Sequence, residues 1–285
     1  MAVYDHAYRR YTGALTPLGR RPWVLVHFGL RDVFASRLAL AYLVLCALFP
    51  LASAIVVYLH HNLSALAAIN LPLDRLIPID AGFFRQIVRT QSWLGFFFAL
   101  GLGPGLLSAD LRNNALPLYL GRPLSKPGYL WGKSGALVLL LSAITWVPGL
   151  LVFLLQAALE GSAWSVSNAY IAGAIFASSW VWIAVLTLAT LAVSAWVKWK
   201  AVARIVLLAL FFVLHGFGSA LNRGLDTHLG DLASLGQMNA VVRAALFRQA
   251  PDTAVSPAAA ALGLAVFALL GLLALRRLRA YEVVR

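Results

Sequence analysis

Six long apolar runs alternate with short polar segments along the chain. The runs cover about residues 38–59, 91–107, 132–159, 169–196, 203–221 and 258–275. A helix needs roughly 20 apolar residues to cross a bilayer, so each run predicts a transmembrane span. Between the first two runs, residues 60–90 hold His60, His61, Pro72, Asp74, Arg75, Pro78, Asp80, Arg85 and Arg89, and predict an excursion out of the membrane. The second run is Phe-rich and then meets Gly101, Gly103, Pro104 and Gly105, which should bend or end its helix. Residues 222–256 predict a second excursion, in which Val241, Val242, Ala245, Leu246 and Phe247 suit a short amphipathic helix at the interface.

Ahead of the first run the pattern changes. Trp23, Val24, Val26, Phe28, Leu30, Val33 and Phe34 alternate with Arg and Asp, which fits a helix lying in the interface, so residues 1–37 predict an elbow leading into the membrane. A secretory signal does not fit, because the charged segment is too long and no small-residue cleavage site follows the apolar run.

Composition sharpens this picture. Of 285 residues 61% are hydrophobic and 12% charged, and the mean hydropathy is +0.83. A water-soluble domain with that surface would aggregate, and no polar stretch is long enough to bury a core of its own. The expected fold is therefore an all-α polytopic membrane protein, residues 1–285 forming one transmembrane domain with six transmembrane helices. The single Cys46 lies inside the first run and can form no internal disulfide.

Charge orients the spans. Six crossings put both termini on one side. That side collects 17 Lys and Arg against the acids Asp5, Asp32, Asp110 and Glu282, whereas the other holds six Arg against six acids. The positive-inside rule then makes the basic face, with both termini, cytoplasmic. The basic residues sit dispersed at span ends rather than in a soluble patch, which excludes a nucleic-acid partner.

The polar groups offer little catalytic chemistry. No acid, Lys or Arg falls well inside a run, although a proton- or ion-coupled carrier would place a carboxylate there. His215, alone near the outer end of the fifth run, reads as a hydrogen-bonded packing residue. His60 with His61, and Asp226, His228 and Asp231, lack a supporting third element at ligand spacing and read as loop polars. Gly132, Lys133 and Ser134 spell the end of a phosphate-binding loop, but Pro127 stands where the required glycine should be and no strand precedes it. No catalytic residue, metal ligand or cofactor site is expected in the chain.

The segment from Asp110 to Lys133, DLRNNALPLYLGRPLSKPGYLWGK, is the polar island between the second and third runs. Its first part, residues 110–120, predicts a short helix with Asp110 near the positive end of the helix dipole. Residues 108–131 are thus the stretch where the buried body meets the aqueous phase.

Asp110 through Leu116, then Arg122, Pro123, Leu124, Ser125 and Lys126, with Tyr129, Gly132 and Lys133, resembles the cytoplasmic segment of ABC-2 type transporter permeases. Asn114 and Ala115 stand where that family usually has Gly-Thr, and Pro117 where an acid is common. Gly103, Pro104, Gly105 and Leu106 ahead of the island, and the tail from Arg276 to Val284, are also similar to the family. The resemblance implies a permease subunit of an ATP-binding-cassette exporter in the cytoplasmic (inner) membrane. It implies a second permease copy or homologue as partner, and a separate cytoplasmic ATPase that binds ATP and Mg. A coupling helix between spans 2 and 3, comprising Asp110, Leu111, Arg112, Asn113, Asn114, Leu116, Leu118 and Tyr119, would dock into that ATPase. The alternatives are a carrier or channel that needs no ATPase, and a polytopic membrane enzyme using the outer His and Asp residues. Spans lined with Ser, Thr, Gly and aromatics suit lipids, drugs, peptides or glycans alike.

Overall fold

Each apolar run folds as a helix, and the breaks fall where backbone chemistry demands them. The computed structural model describes residues 17–62, 78–113, 115 and 124–276. Helix α1 (Arg21–Ala35) leads into α2 (Arg37–His60) through Ser36. The extended backbone of Ser36 turns the chain, and its hydroxyl caps α2 by accepting from the Ala39 amide at 3.4 Å. Helix α3 (Ala81–Leu102) starts at Asp80, whose carboxylate accepts from the Phe83 amide at 3.0 Å. This start lies well before residue 91, so Arg85 and Arg89 stand on the helix itself, ahead of the apolar run. The cap made the difference: Asp80 followed by an apolar residue every third or fourth position begins the helix despite two Arg.

Gly103 and Pro104 separate α3 from α4 (Gly105–Arg112), as expected. Proline has no amide hydrogen, so carbonyls on the preceding turn lose partners. Arg204 donates to the Gly101 carbonyl at 2.9 Å, and Ser194 adds a donor at 3.3 Å to the Gly103 carbonyl, which also accepts from the Leu106 amide, so other spans help to satisfy the break. The third run is also in two pieces, α5 (Lys126–Ile144) and α6 (Trp146–Glu160), parted at Thr145. Pro148 causes this, because its ring opposes the Ile144 carbonyl four residues back. After the short α7 (Ser162–Ser167) come α8 (Ala169–Trp196), α9 (Lys200–Leu225), a tight turn at Leu229–Ala233, α10 (Leu235–Leu246) and α11 (Pro257–Leu275). No strand occurs among the described residues.

Six helical stretches are long and apolar enough to cross a membrane: Arg37–His60, Ala81–Arg112, Lys126–Glu160, Ala169–Trp196, Lys200–Leu225 and Pro257–Leu275. The chain is an all-α protein of the multi-pass membrane class. Helix α8 is its axis, touching α3 to α7 and α9 to α11. Two of its buried hydroxyls bond back along the helix, Ser178 to the Ala174 carbonyl at 2.5 Å and Thr190 to that of Leu186 at 2.9 Å, whereas those of Ser179 and Thr187 are buried without a partner among the described residues.

The bundle has two distinct ends. At the proximal end, Leu107, Tyr129, Leu191, Ala195 and Leu275 bury together, joining α4, the start of α5 and the ends of α8 and α11. At the distal end lie the end of α2, the starts of α3 and α8, the end of α6, and α10. Helix α10 takes up the amphipathic stretch that the periodicity of Val241 to Phe247 predicts. It packs against α8, α9 and α11, with Met238, Asn239, Val241 and Arg243 buried.

Helix α1 lies along α5 because α5 presents small residues to it. A Cβ at Gly132 would stand 2.8 Å from Leu25 and 2.9 Å from the Pro22 carbonyl, and one at Gly135 would stand 2.6 Å from Val26. Helix α1 buries Val26 and Val33 there and leaves Trp23, Val24, Phe28 and Phe34 exposed. Gly132→Leu should force the two helices apart at a cost of about 1–3 kcal/mol, read as a lower thermal unfolding midpoint of the detergent-purified protein. Gly173→Ala, where nothing lies within 4 Å, should leave that midpoint unchanged or slightly raised.

Candidate functional site

At the proximal end the polar island begins differently from its sequence pattern. Helix α4 runs from Gly105 to Arg112, so Asp110 lies in its last turn and not at the start of a helix over residues 110–120. The carboxylate there faces the negative end of the helix dipole, and side chains from α5 compensate. Tyr129 donates its hydroxyl to Asp110 at 2.6 Å, and Lys133 lies 2.7 Å from the same oxygen. Both members of the Asp110–Lys133 pair are largely buried, with 13% and 20% of the side chain exposed. Leu111 packs into the proximal core, whereas Arg112 and Asn113 are exposed, the Arg112 guanidinium lying 5.1 Å from the Trp199 ring. Asn114, Leu116, Leu118 and Tyr119 lie outside the described residues.

The Gly-Lys-Ser sequence at the start of the third run thus has two packing roles. Gly132 admits α1, and Lys133 pairs with Asp110. Between α1, α4 and α5 a crevice of about 500 Å³ is lined by Phe28, Leu102, Leu106, Asp32, Lys133 and Lys200.

The distal end carries two polar features that spacing did not disclose. His61 meets Glu160, ninety-nine positions away, at 2.7 Å, while its other ring nitrogen meets the Val57 carbonyl at 3.0 Å. Both partners are acceptors, so the ring satisfies both only as the doubly protonated imidazolium. The Val57 carbonyl and then Glu160 hold the pKa of His61 above the usual histidine value, against the opposing effect of burial. Asp226, His228 and Asp231 do not assemble: Asp231 accepts from Asn222 at 3.0 Å, and His228 is exposed. Among the described residues no three His, Cys, Asp or Glu stand together as a metal site.

The second feature is a cavity of about 360 Å³ between α3, α8, α9 and α10. One side is charged, with Arg85 and Arg89 from α3, Arg243 from α10 and Asp252 from the following loop. The other is aromatic, formed by Trp93, Trp182, Phe211 and Phe212. Each wall is fixed in place. Trp182 donates to the Ser92 carbonyl at 2.7 Å and stacks edge-on with Phe211 at 5.7 Å between centroids, holding α3, α8 and α9 together. His215 lies on the rim and its Nδ1 is 3.2 Å from Ser234 Oγ, the hydroxyl that also caps α10. That agrees with the packing role expected for it.

Arg243 is only 7% exposed, and its guanidinium makes no hydrogen bond or ion pair to any described residue. Burial first, and then Arg89 and Arg85, push its pKa down to about 10, with Asp252 acting the other way. The carbonyl end of α10 favours a cation there but accounts for only part of a buried charge. On the same walls the side-chain oxygens of Asn239 and Thr253 are buried without a partner among the described residues. The arrangement can hold an anion. Hydropathy missed it because two Arg were assigned to a loop and the third to an interfacial helix; the capping signal at Asp80 could have put Arg85 and Arg89 on one helical face.

Compared with known proteins, the chain matches no family model and no curated sequence.

Two outcomes follow. Asp110→Ala leaves Lys133 buried without its carboxylate and should destabilise the protein by about 3 kcal/mol, with much less further loss in the Asp110→Ala/Lys133→Ala double variant; a calorimetric double-mutant cycle checks this. A histidine whose folded pKa is raised contributes stability below its unfolded pKa and loses it as pH rises through the folded value. The unfolding midpoint should therefore fall as pH rises above about 6.5, the ordinary histidine value, and Glu160→Gln should reduce that fall. An identical pH profile in wild type and Glu160→Gln would show that the pair contributes nothing.

Proposed function

We propose that the chain is the membrane-spanning subunit of an ATP-binding-cassette exporter, working as a dimer with a second copy or a homologue. In this reading a separate ATPase binds ATP and Mg on the cytoplasmic side, and the chain converts its closing into movement of the spans. The resemblance of the island to ABC-2 permeases suggested this, and the observation that carries it is the Asp110, Tyr129 and Lys133 network. That network ties the last turn of α4 to the first turns of α5 on either side of the island. Force applied to the island is then delivered to two crossings together, instead of being lost in a slack loop.

Exposed Arg112 and Asn113 would form the charged rim of the docking element, and Leu116, Leu118 and Tyr119 its apolar contact. Helix α1, seated on the glycine face of α5, would be the interfacial elbow, with Trp23, Phe28 and Phe34 turned to lipid. By the positive-inside rule this end, with both termini, would be cytoplasmic. One observation favours the second reading, a carrier that needs no ATPase: Arg85, Arg89 and Arg243 line an internal cavity, where a substrate-coupled carrier keeps its charges.

A photo-crosslinking residue in place of Asn113 or Tyr119, expressed in the native membrane, should capture a polypeptide with a complete phosphate-binding loop. Leu116→Asp should abolish the capture. Capture of no ATPase from either position, with transport intact in liposomes holding the purified chain alone, would replace the motor-driven reading with the carrier.

A further inference from the structure

The distal cavity joins two chemistries within one enclosure. Arg85, Arg89 and Arg243 reach it from two elements far apart in sequence, and Asp252 is the one acid among its lining residues. No nitrogen of the three Arg lies within 4 Å of a carboxylate among the described residues, so the positive charge is not spent internally. Burying a guanidinium without a partner is costly in any protein, and more so inside a bundle whose helices can span a membrane. Snorkelling to a polar surface explains such a residue when it is exposed, as Arg89 is, but Arg243 is buried. Planar guanidinium forks match the oxygens of a phosphate group, and three of them can enclose one.

The remaining wall narrows the ligand further. Trp182 and Phe211 are buried at its base, and Trp93 and Phe212, each 47% exposed, form its lip with ring centroids 6.3 Å apart. Beyond that lip α9 exposes Val213 and Phe217. In a membrane-spanning bundle that apolar surface faces hydrocarbon, so the cavity has an aromatic doorway to the lipid and a cationic interior. A small hydrophilic anion has no use for the doorway, and a neutral apolar molecule has none for the three Arg. The volume of about 360 Å³ suits a headgroup and the first part of a chain.

We propose that this cavity binds an anionic amphiphile, with a phosphate headgroup held by Arg85, Arg89 and Arg243 and its hydrocarbon lying across Trp93, Trp182, Phe211 and Phe212. The site does not depend on whether an ATPase drives the protein, since exporter and carrier alike need a place for cargo. The buried Thr253 hydroxyl can donate to the headgroup, whereas the unpartnered Asn239 Oδ1 can only accept, and Asp252 in the lining disfavours a second negative charge.

The test titrates three probes into the detergent-purified full chain and reads bound mass by native mass spectrometry: dioctanoyl phosphatidic acid, dioctanoyl phosphatidylcholine and inorganic phosphate. Phosphatidic acid should bind at least about tenfold more tightly than either of the others, the discrimination of roughly one well-made interaction. Arg243→Gln should weaken it about tenfold or more. Arg89→Gln, at an exposed position that leaves the packing intact, should weaken it several-fold. Trp93→Ala should weaken phosphatidic acid but not inorganic phosphate. Equal binding of phosphatidic acid and phosphatidylcholine, or binding unchanged in a monodisperse Arg85→Gln/Arg89→Gln variant, would overturn the headgroup assignment. Inorganic phosphate as tight as phosphatidic acid, with Trp93→Ala without effect on either, would overturn the amphiphile and leave a site for a soluble anion.

Discussion

Everything in this bundle depends on how closely other helices can approach α8. In hydrocarbon there is no hydrophobic gain from bringing two apolar helices together, so association rests on close packing and on satisfied polar groups. Helix α8 largely meets both conditions. It carries Ala, Ser and Thr on buried faces, and Ser178, Thr190 and Ser194 bond to its own carbonyls or to a neighbour's, leaving the Ser179 and Thr187 hydroxyls without a partner among the described residues. It has no Asp, Glu, Lys or Arg along its length, so no charge needs a path to water. The Trp182 indole then pins α3 to it through the Ser92 carbonyl.

The two ends of the bundle use this scaffold in opposite ways. Proximally, charge is matched: Asp110 has Tyr129 and Lys133, and Arg204 and Ser194 donate to the Gly101 and Gly103 carbonyls at the Gly103–Pro104 break. Distally, three Arg share one enclosure and stay unmatched within the described chain. Matched charge makes a stiff joint, and unmatched charge marks a place for something else. Within one helical stretch, Ala81–Arg112, the same span carries Arg85 and Arg89 at one end and Asp110 at the other.

Much of this was legible in the hydropathy pattern, and the failures have physical causes. The first, fourth and sixth crossings fold within a residue or so of their apolar runs, because hydrophobic length alone decides them. The second did not, since a hydropathy reading weighs Arg85 and Arg89 against the helix while Asp80 caps it regardless. The break at Gly103 and Pro104 was visible because backbone chemistry is local. The break at Thr145 was equally local, yet an apolar run conceals it, because Pro148 hardly lowers hydropathy. The polar pairs were invisible for another reason: His61 and Glu160, or Arg89 and Arg243, meet only after the chain has crossed the bundle several times. Counting charges per face returned zero for the distal end and so averaged away the cluster that distinguishes it. Of the expected ATPase-contact positions that are described, Asp110 and Leu111 face inward, and Arg112 and Asn113 are exposed.

The interruption at Thr145 gives the third crossing a property that the uninterrupted α8 lacks. Its lower half, α5, is bound to α1 through glycine contacts and to α4 through Asp110. Its upper half, α6, lies against α2, with Phe153 edge-on to Phe84 of α3. A continuous rod would swing as one lever about α8, so a tilt at its foot would appear reversed at its head. Two rods meeting at a knuckle can bend instead, and the foot can rock while the head keeps its seat.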